Sequence, residues 1–372
     1  MGPYAPMAQN RIGSLTPEAS ANLAQQLLRW FETHARDLPW RHDRTPYRVW
    51  VAEVMLQQTQ VDTVVPYYDR FLERFPDIDA LADAALEDVL VVWEGLGYYA
   101  RARRLHQAAR QLVRSQAGCL PESYDALLEV PGVGAYTAGA IASISFGERV
   151  PAVDGNVRRV LCRAFGIRED VTRAAVQRRL RELAMGLLPD AGAGTFNEAL
   201  IELGATVCKP RRPTCDICPL VGLCRAYAAG EQEVLPVRRP NRRVPHYVVT
   251  AAVTVRADGA ILVAQRNLDD MLGGLWEFPR GKCEDGEELA DCLVREIDEE
   301  LGVEVEVGDK LAVIEHAYTH FRITLHPFWC RVRHGQPRCL DCAAFRWVSR
   351  SELEQLPMSV ADRRIAQMVV AM

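Results

Sequence analysis

The sequence predicts a multidomain chain, α followed by α/β: an all-α domain over residues 15–230, a linker over 231–246 and a mixed α+β domain over 247–372. Three observations carry this expectation. Between 15 and 230, apolar residues recur at three- and four-residue intervals and alternating strand runs are absent. Between 231 and 246, Pro236, Pro240 and Pro245 stand among Arg238, Arg239, Arg242 and Arg243 with no apolar periodicity, which reads as an extended linker. Beyond it the apolar period falls to two. A chain of 372 residues, 49% hydrophobic, can bury two sizeable cores.

In the first domain, helices are expected over 21–33, 46–61, 86–93, 102–114 and 124–130, and Pro46 after Thr45 marks one helix start. In the second, 248–256 and 260–266 flank Asp258-Gly259, a hairpin signal. A helix over 287–301, strands near 303–307 and 322–332, and helices after Ser351 and Ser359 complete it.

The net charge of −5 looks wrong for a nucleic-acid partner until it is divided. Residues 246–372 hold 14 Lys+Arg against 21 Asp+Glu, a balance of −7, so the remainder carries +2 and is free to present a basic face. No apolar run approaches the roughly 18–20 residues of a membrane helix, and residues 1–13 lack a secretory pattern, so a cytoplasmic protein without membrane contact is expected. Eleven cysteines in such a chain argue against a disulfide framework.

Cys208, Cys215, Cys218 and Cys224 have six, two and five residues between successive members. Four thiolates in so short a loop would repel one another without a cationic centre, and spacing alone leaves open a zinc ion or a [4Fe–4S] cluster. Lys209, Arg211 and Arg212 within the loop would face phosphate. In Leu127-Leu128-Glu129-Val130-Pro131-Gly132-Val133-Gly134-Ala135-Tyr136-Thr137, Gly132 and Gly134 suit either a helical corner or a hairpin whose backbone N–H groups approach a phosphate. Asp154, in Val153-Asp154-Gly155-Asn156-Val157, reads locally as the N-cap of a helix stopped by Gly166. Glu53 lies in Val49-Trp50-Val51-Ala52-Glu53-Val54-Met55-Leu56-Gln57-Gln58-Thr59, apolar on nearly every side. Such a carboxyl either occupies one wet stripe or is desolvated, kept neutral and ready to donate a proton; the second reading is preferred.

Together with Leu38-Pro39-Trp40-Arg41, Trp93-Glu94-Gly95-Leu96-Gly97-Tyr98-Tyr99-Ala100-Arg101 and Phe196-Asn197-Glu198-Ala199, these segments resemble the adenine DNA glycosylase family of the endonuclease III superfamily. The resemblance implies a helix-hairpin-helix glycosylase domain and a [4Fe–4S] cluster on the four cysteines. It implies Glu53 as proton donor to adenine N7, Asp154 as the anion facing the sugar, and Tyr136 and Asn156 positioning them. Tyr136 stands where bifunctional relatives carry a Schiff-base lysine, which implies a monofunctional enzyme. Residues matching Gln58, Thr59, Leu96 and Tyr98 fill or wedge the duplex, although ordinary helix and turn packing would also explain them. The implied partner is double-stranded DNA with adenine opposite 8-oxoguanine or guanine, bound by a monomer that extrudes the base.

In the second domain, Gly281, Glu287, Arg295, Glu296, Glu299, Glu300 and Gly302 complete a Nudix signature, with Ile297 and Val303 at its aliphatic positions. Its glutamates fall along one helix side, where they either hold Mg²⁺ against a diphosphate or form an acidic face. A Nudix nucleotide pyrophosphohydrolase tethered to DNA is therefore the alternative enzyme, and a noncatalytic lesion-binding protein the other rival. The family's role for this domain is to read 8-oxoguanine, and Tyr318-Thr319-His320 matches its aromatic-hydroxyl-histidine segment; Thr319 and His320 are the candidate contacts. The C-x2-C pair Cys339 and Cys342 is assigned no metal.

Overall fold

The computed structural model describes residues 16–238, 244–318 and 320–371. They form two compact units that do not follow chain order: Met1–Leu72 with Gln111–Pro240, and Glu73–Arg110 with Asn241–Met372. Among the described residues no helix is long and apolar enough to cross a membrane.

The first unit is helical. Pro17–His34, Gly155–Phe165, Ala174–Leu187 and Ala193–Thr206 bury Leu27, Phe31, Leu161, Phe165, Leu180, Phe196 and Leu203 in one core. The helix Gly155–Phe165 ends as its sequence requires: Asp154 accepts from the Val157 N–H at 2.7 Å, and Gly166 takes φ +64° at the C-terminus. The helix expected over 46–61 is instead two, Pro46–Leu56 and Val61–Arg74. The backbone leaves helical geometry at Gln58, φ +60°, where four polar residues, 57–60, provide no apolar face to hold a continuous helix.

The second unit combines the helices Ile78–Asp83 and Leu86–Trp93 with two sheets. Its strands are β1 His246–Thr254, β2 Ile261–Gln265, β3 Trp276–Glu277, β4 Arg280–Lys282, β5 Glu304–Lys310, β6 Ile314–Ala317, β7 Arg322–His334 and β8 Ala344–Val348. One sheet runs β4-β1-β7-β5, with β1 and β7 parallel and β6 also paired to β7; the other runs β3-β2-β8. Period-two alternation divides the apolar residues between two cores. Ala251, Val253, Ile261 and Val263 face Ile365 and Val369 of the helix Val360–Val370, whereas Ala252, Leu262 and Ala264 face Leu293, Ile297 and Leu301 of the helix Leu289–Leu301.

The hairpin expected at Asp258-Gly259 is only a turn. Arg256 N–H bonds Ala260 O at 2.9 Å and Val255 bridges Ile261, after which β1 and β2 enter different sheets. Strands β3, β4, β6 and β8, not anticipated individually, are only two to five residues long. Residues 73–110 are tied to this unit by polar bonds: Trp276 Nε1 donates to Glu87 at 2.9 Å, Arg363 grips Glu94 at 2.6 and 2.8 Å, and Arg103 donates to Gly273 O at 2.8 Å.

Candidate active site

A cavity of about 800 Å³ opens in the first unit, and Glu53, Gln58, Thr59, Tyr136, Asp154, Asn156 and Glu198 line it. Four separate chain segments supply these groups. Glu53 projects from Pro46–Leu56, a helix buried on nearly all sides, and is itself 6% exposed. Tyr136 occupies the first turn of Ala135–Ser145, Asp154 caps Gly155–Phe165 and Asn156 lies in its first turn. Glu198 comes from Ala193–Thr206, which approaches so closely that a Cβ on Gly204 would lie 2.6 Å from Asn156 Cβ. Glycine there lets two helices meet at the level of the site.

The carboxyl groups differ in their surroundings. Burial pushes Glu53 up to about 7, opposed by the Tyr136 hydroxyl and reinforced by Asp154 and Glu198; its Oε2 has no hydrogen-bond partner among the described residues. Burial also raises Asp154, but Val157 N–H at 2.7 Å, Asn156 Nδ2 at 2.8 Å and the nearby Arg159 all favour its anion. Burial and the neighbouring carboxylates hold the Tyr136 phenol far above its ordinary range, so it stays a donor to Glu53. The site therefore holds two acids of unequal character, one poised to carry a proton near neutrality and one surrounded by donors.

Glu198 and Glu202, on the same helix, received no individual role from sequence. Arg41 and Arg44 reach Glu198 at 3.5 and 3.0 Å. Burial would raise Glu202, but Arg36 at 2.7 Å and Arg41 at 2.9 Å outweigh it and hold the carboxyl low. The signal was present in Trp40-Arg41 and Asn197-Glu198, but pairing across some 160 residues has no local signature.

The hairpin between Tyr124–Leu128 and Ala135–Ser145 turns at Gly132, φ +80°, and Gly134 caps the second helix without a side-chain bond. First-turn N–H groups there can meet an anion. Leu96, Tyr98 and His320 belong to the other compact unit. Leu96 is buried, while Tyr98 is 37% exposed at φ +50° between Gly97 and Tyr99. His320 is exposed in the β6–β7 connection beside Tyr318, whose ring stacks near Phe321; Thr319 lies outside the described residues.

All four loop cysteines are free thiols that interact electrostatically with one another. Arg163 Nη1 lies 3.3 Å from Cys208 Sγ, and backbone N–H groups bond the sulfurs of Cys218 and Cys224. Donors aimed at sulfur, with burial pushing Cys218 up to about 12, describe ligands that need a cationic centre to ionise; the loop fits an iron–sulfur group. In the Nudix signature, Arg295 engages Glu287, Glu296 and Glu299 at 2.8, 2.8 and 3.4 Å. Burial, with Glu277 nearby, raises Glu300 to about 8.

Both parts of the chain are similar to known proteins. Residues 51–185 match the HhH-GPD superfamily base excision DNA repair protein model, and residues 250–368 the NUDIX domain model. An adenine DNA glycosylase of Rattus norvegicus is 36% identical over 394 residues, covering 92% of this chain and 76% of the relative. A thermostable thymine-DNA glycosylase superposes at a TM-score of 0.52 with 29% identity, covering 57% of this chain and 98% of that one. Endonuclease III in a non-covalent DNA complex gives 0.50 and 25%, covering 58% and 99%. Aligned over most of both sequences with its relative from Rattus norvegicus, the chain belongs to the adenine DNA glycosylase family.

Proposed function

We propose that the chain removes adenine from DNA where adenine lies opposite 8-oxoguanine or guanine, with Glu53 as general acid and Asp154 as the stabilising anion. The carrying observation is the unequal bonding of two carboxyls in one cavity, both raised by burial: Glu53, brought to about 7, has an unbonded Oε2, whereas Asp154 accepts from Val157 N–H and Asn156 Nδ2. Adenine is a poor leaving group until protonated, and the sugar it leaves becomes cationic, so the reaction needs one acid and one anion. Glu53 gives its proton to N7 of the extruded base. The C1′–N9 bond breaks with its electron pair going to adenine, while Asp154 faces the developing oxocarbenium ion. Water adds at C1′ and its proton returns to the pocket, leaving free adenine and an abasic sugar. Tyr136 holds Glu53 in place and Asn156 holds Asp154. A phenol at 136 has no amine for a Schiff base, so strand cleavage waits for alkali.

Cys208, Cys215, Cys218 and Cys224 would hold a [4Fe–4S] cluster, which in this reading supplies no chemistry to the reaction and fixes the loop bearing Lys209, Arg211 and Arg212. Gly132 and Gly134 would dock phosphate, Gln58, Thr59, Leu96 and Tyr98 would support the opened duplex, and Thr319 and His320 would contact the oxidised guanine. Arg295 is shared among three signature glutamates, and the recognition role of this domain is tested against pyrophosphate hydrolysis by Glu299→Gln.

The test is a duplex with adenine opposite 8-oxoguanine or guanine, treated with alkali and sized. Wild type and Glu299→Gln should give nicks at the adenine, and Glu53→Gln should bind without producing them. Nicks surviving in Glu53→Gln, or lost in Glu299→Gln, would defeat the proposal.

A further inference from the structure

A second group of side chains able to ligate a metal lies within the Nudix signature. Cys283 follows β4, fixed by its N–H to Val248 O at 3.0 Å. Glu287 closes the next turn, accepting from Glu284 N–H at 2.8 Å, and Cys292, 0% exposed, sits in the first turn of Leu289–Leu301. The two sulfurs and a Glu287 oxygen lie within 4.8 Å of one another. Thr250 Oγ1 of β1 adds a polar atom 3.3 Å from Cys292 Sγ.

We propose that Cys283, Cys292 and Glu287 form a binding site for one thiophilic divalent cation, such as zinc, separate from the four-cysteine loop. Zinc bonds sulfur at about 2.3 Å and carboxylate oxygen at about 2.0–2.2 Å, so ligand atoms around one tetrahedral ion stand roughly 3.3–3.8 Å apart. From a spacing within 4.8 Å, side-chain rotation of about an ångström completes the geometry. Charge agrees with it: two thiolates and Glu287 carry −3, which a divalent ion and the shared Arg295 offset. Arg295 holds Glu287 at 2.8 and 2.9 Å and lies 3.9 Å from Cys292 Sγ, the place of an outer partner that orients a metal-bound carboxylate. Sulfur ligands select zinc, cadmium or cobalt over Mg²⁺. Three ligands from a strand end, a turn and a helix leave the fourth position to water, and a bound ion would pin the turn to the helix.

The full chain, its loop metal first counted by elemental analysis, is titrated with Co²⁺ while thiolate-to-cobalt charge-transfer absorption is followed. One further equivalent should bind in wild type and in Cys339→Ser. Cys283→Ser should lose the band while keeping its loop metal, and Glu287→Gln should bind roughly 10–100-fold more weakly. Absence of the additional equivalent in wild type, an unchanged band in Cys283→Ser, or its loss in Cys339→Ser overturns the proposal. If Cys283→Ser fails to fold, unchanged affinity in Glu287→Gln does so.

Discussion

Each compact unit buries a cluster of acids, and the acid at the centre of each, Glu53 in one and Glu277 in the other, meets different partners. In the helical unit, Glu53 faces Tyr136, Asp154, Glu198 and, at longer range, Arg41; among the described residues no arginine bonds it, and burial raises it to about 7. In the Nudix unit, Glu277 is clamped by Arg266 at 2.8 Å and Arg280 at 2.7 Å, and Asp362 meets Arg280 at 3.2 Å. Burial opposes the charge of Arg280, yet Asp362 and Glu277 push it further up. The comparison teaches that burial alone does not mark a catalytic carboxyl. Burial raises Glu277 as it raises Glu53, and what separates the two is that Arg266 and Arg280 bond Glu277.

The comparison is broken most decisively at Glu53 and Asp154. Single-turnover adenine release should fall about 10²–10⁴-fold in Glu53→Gln, with DNA affinity retained, and by a similar order in Asp154→Asn. Wild-type release should fall with rising pH through about 7, because Glu53 is then deprotonated, and this limb should vanish from the residual rate of Glu53→Gln. A wild-type rate flat from pH 6 to 9 under single-turnover conditions would remove Glu53 from the acid role.

Arg280 tests the other side. Arg280→Met should destabilise the Nudix unit by about 3–5 kcal/mol in denaturant unfolding, since it leaves Glu277 and Asp362 buried with a partner lost. The same measurement on Glu53→Gln should give the opposite sign. The folded-state value of Glu53 lies above its unfolded value of 4.5, so its stabilising contribution is complete below 4.5 and is lost as pH rises to about 7. Above pH 7, Glu53→Gln should therefore be more stable than wild type, by up to about 3 kcal/mol. A less stable variant at pH 8 would mean that the Tyr136 bond outweighs desolvation. The smallest effect is steric: Gly204→Ala must displace Asn156, costing about 1–3 kcal/mol and slowing release through a misplaced Asp154 cap.

Much of the helical architecture was legible because periodicity and caps are local. Asp154 and Gly166 bound their helix as their residue types require, and the apolar surroundings of Glu53 already announced a desolvated acid. The break at Gln58 was not legible, because adjacent helical patterns merge unless a positive φ interrupts them. Nor was the divergence of β1 and β2 after one bridge, since a turn signal fixes a reversal and says nothing about which strands pair next.

Sequence by itself determined the two classes of unit, the cysteine spacing and the residue types able to donate a proton or hold a cation. Tertiary structure alone decided that residues 73–110 pack with the sheets, that Arg36 and Arg41 close on Glu202, and that among the described residues no arginine bonds Glu53 while two bond Glu277. The physical reason is range. Propensity, capping and spacing act within a few residues, but whether a charge is solvated, paired or stranded depends on groups brought together from distant parts of the chain.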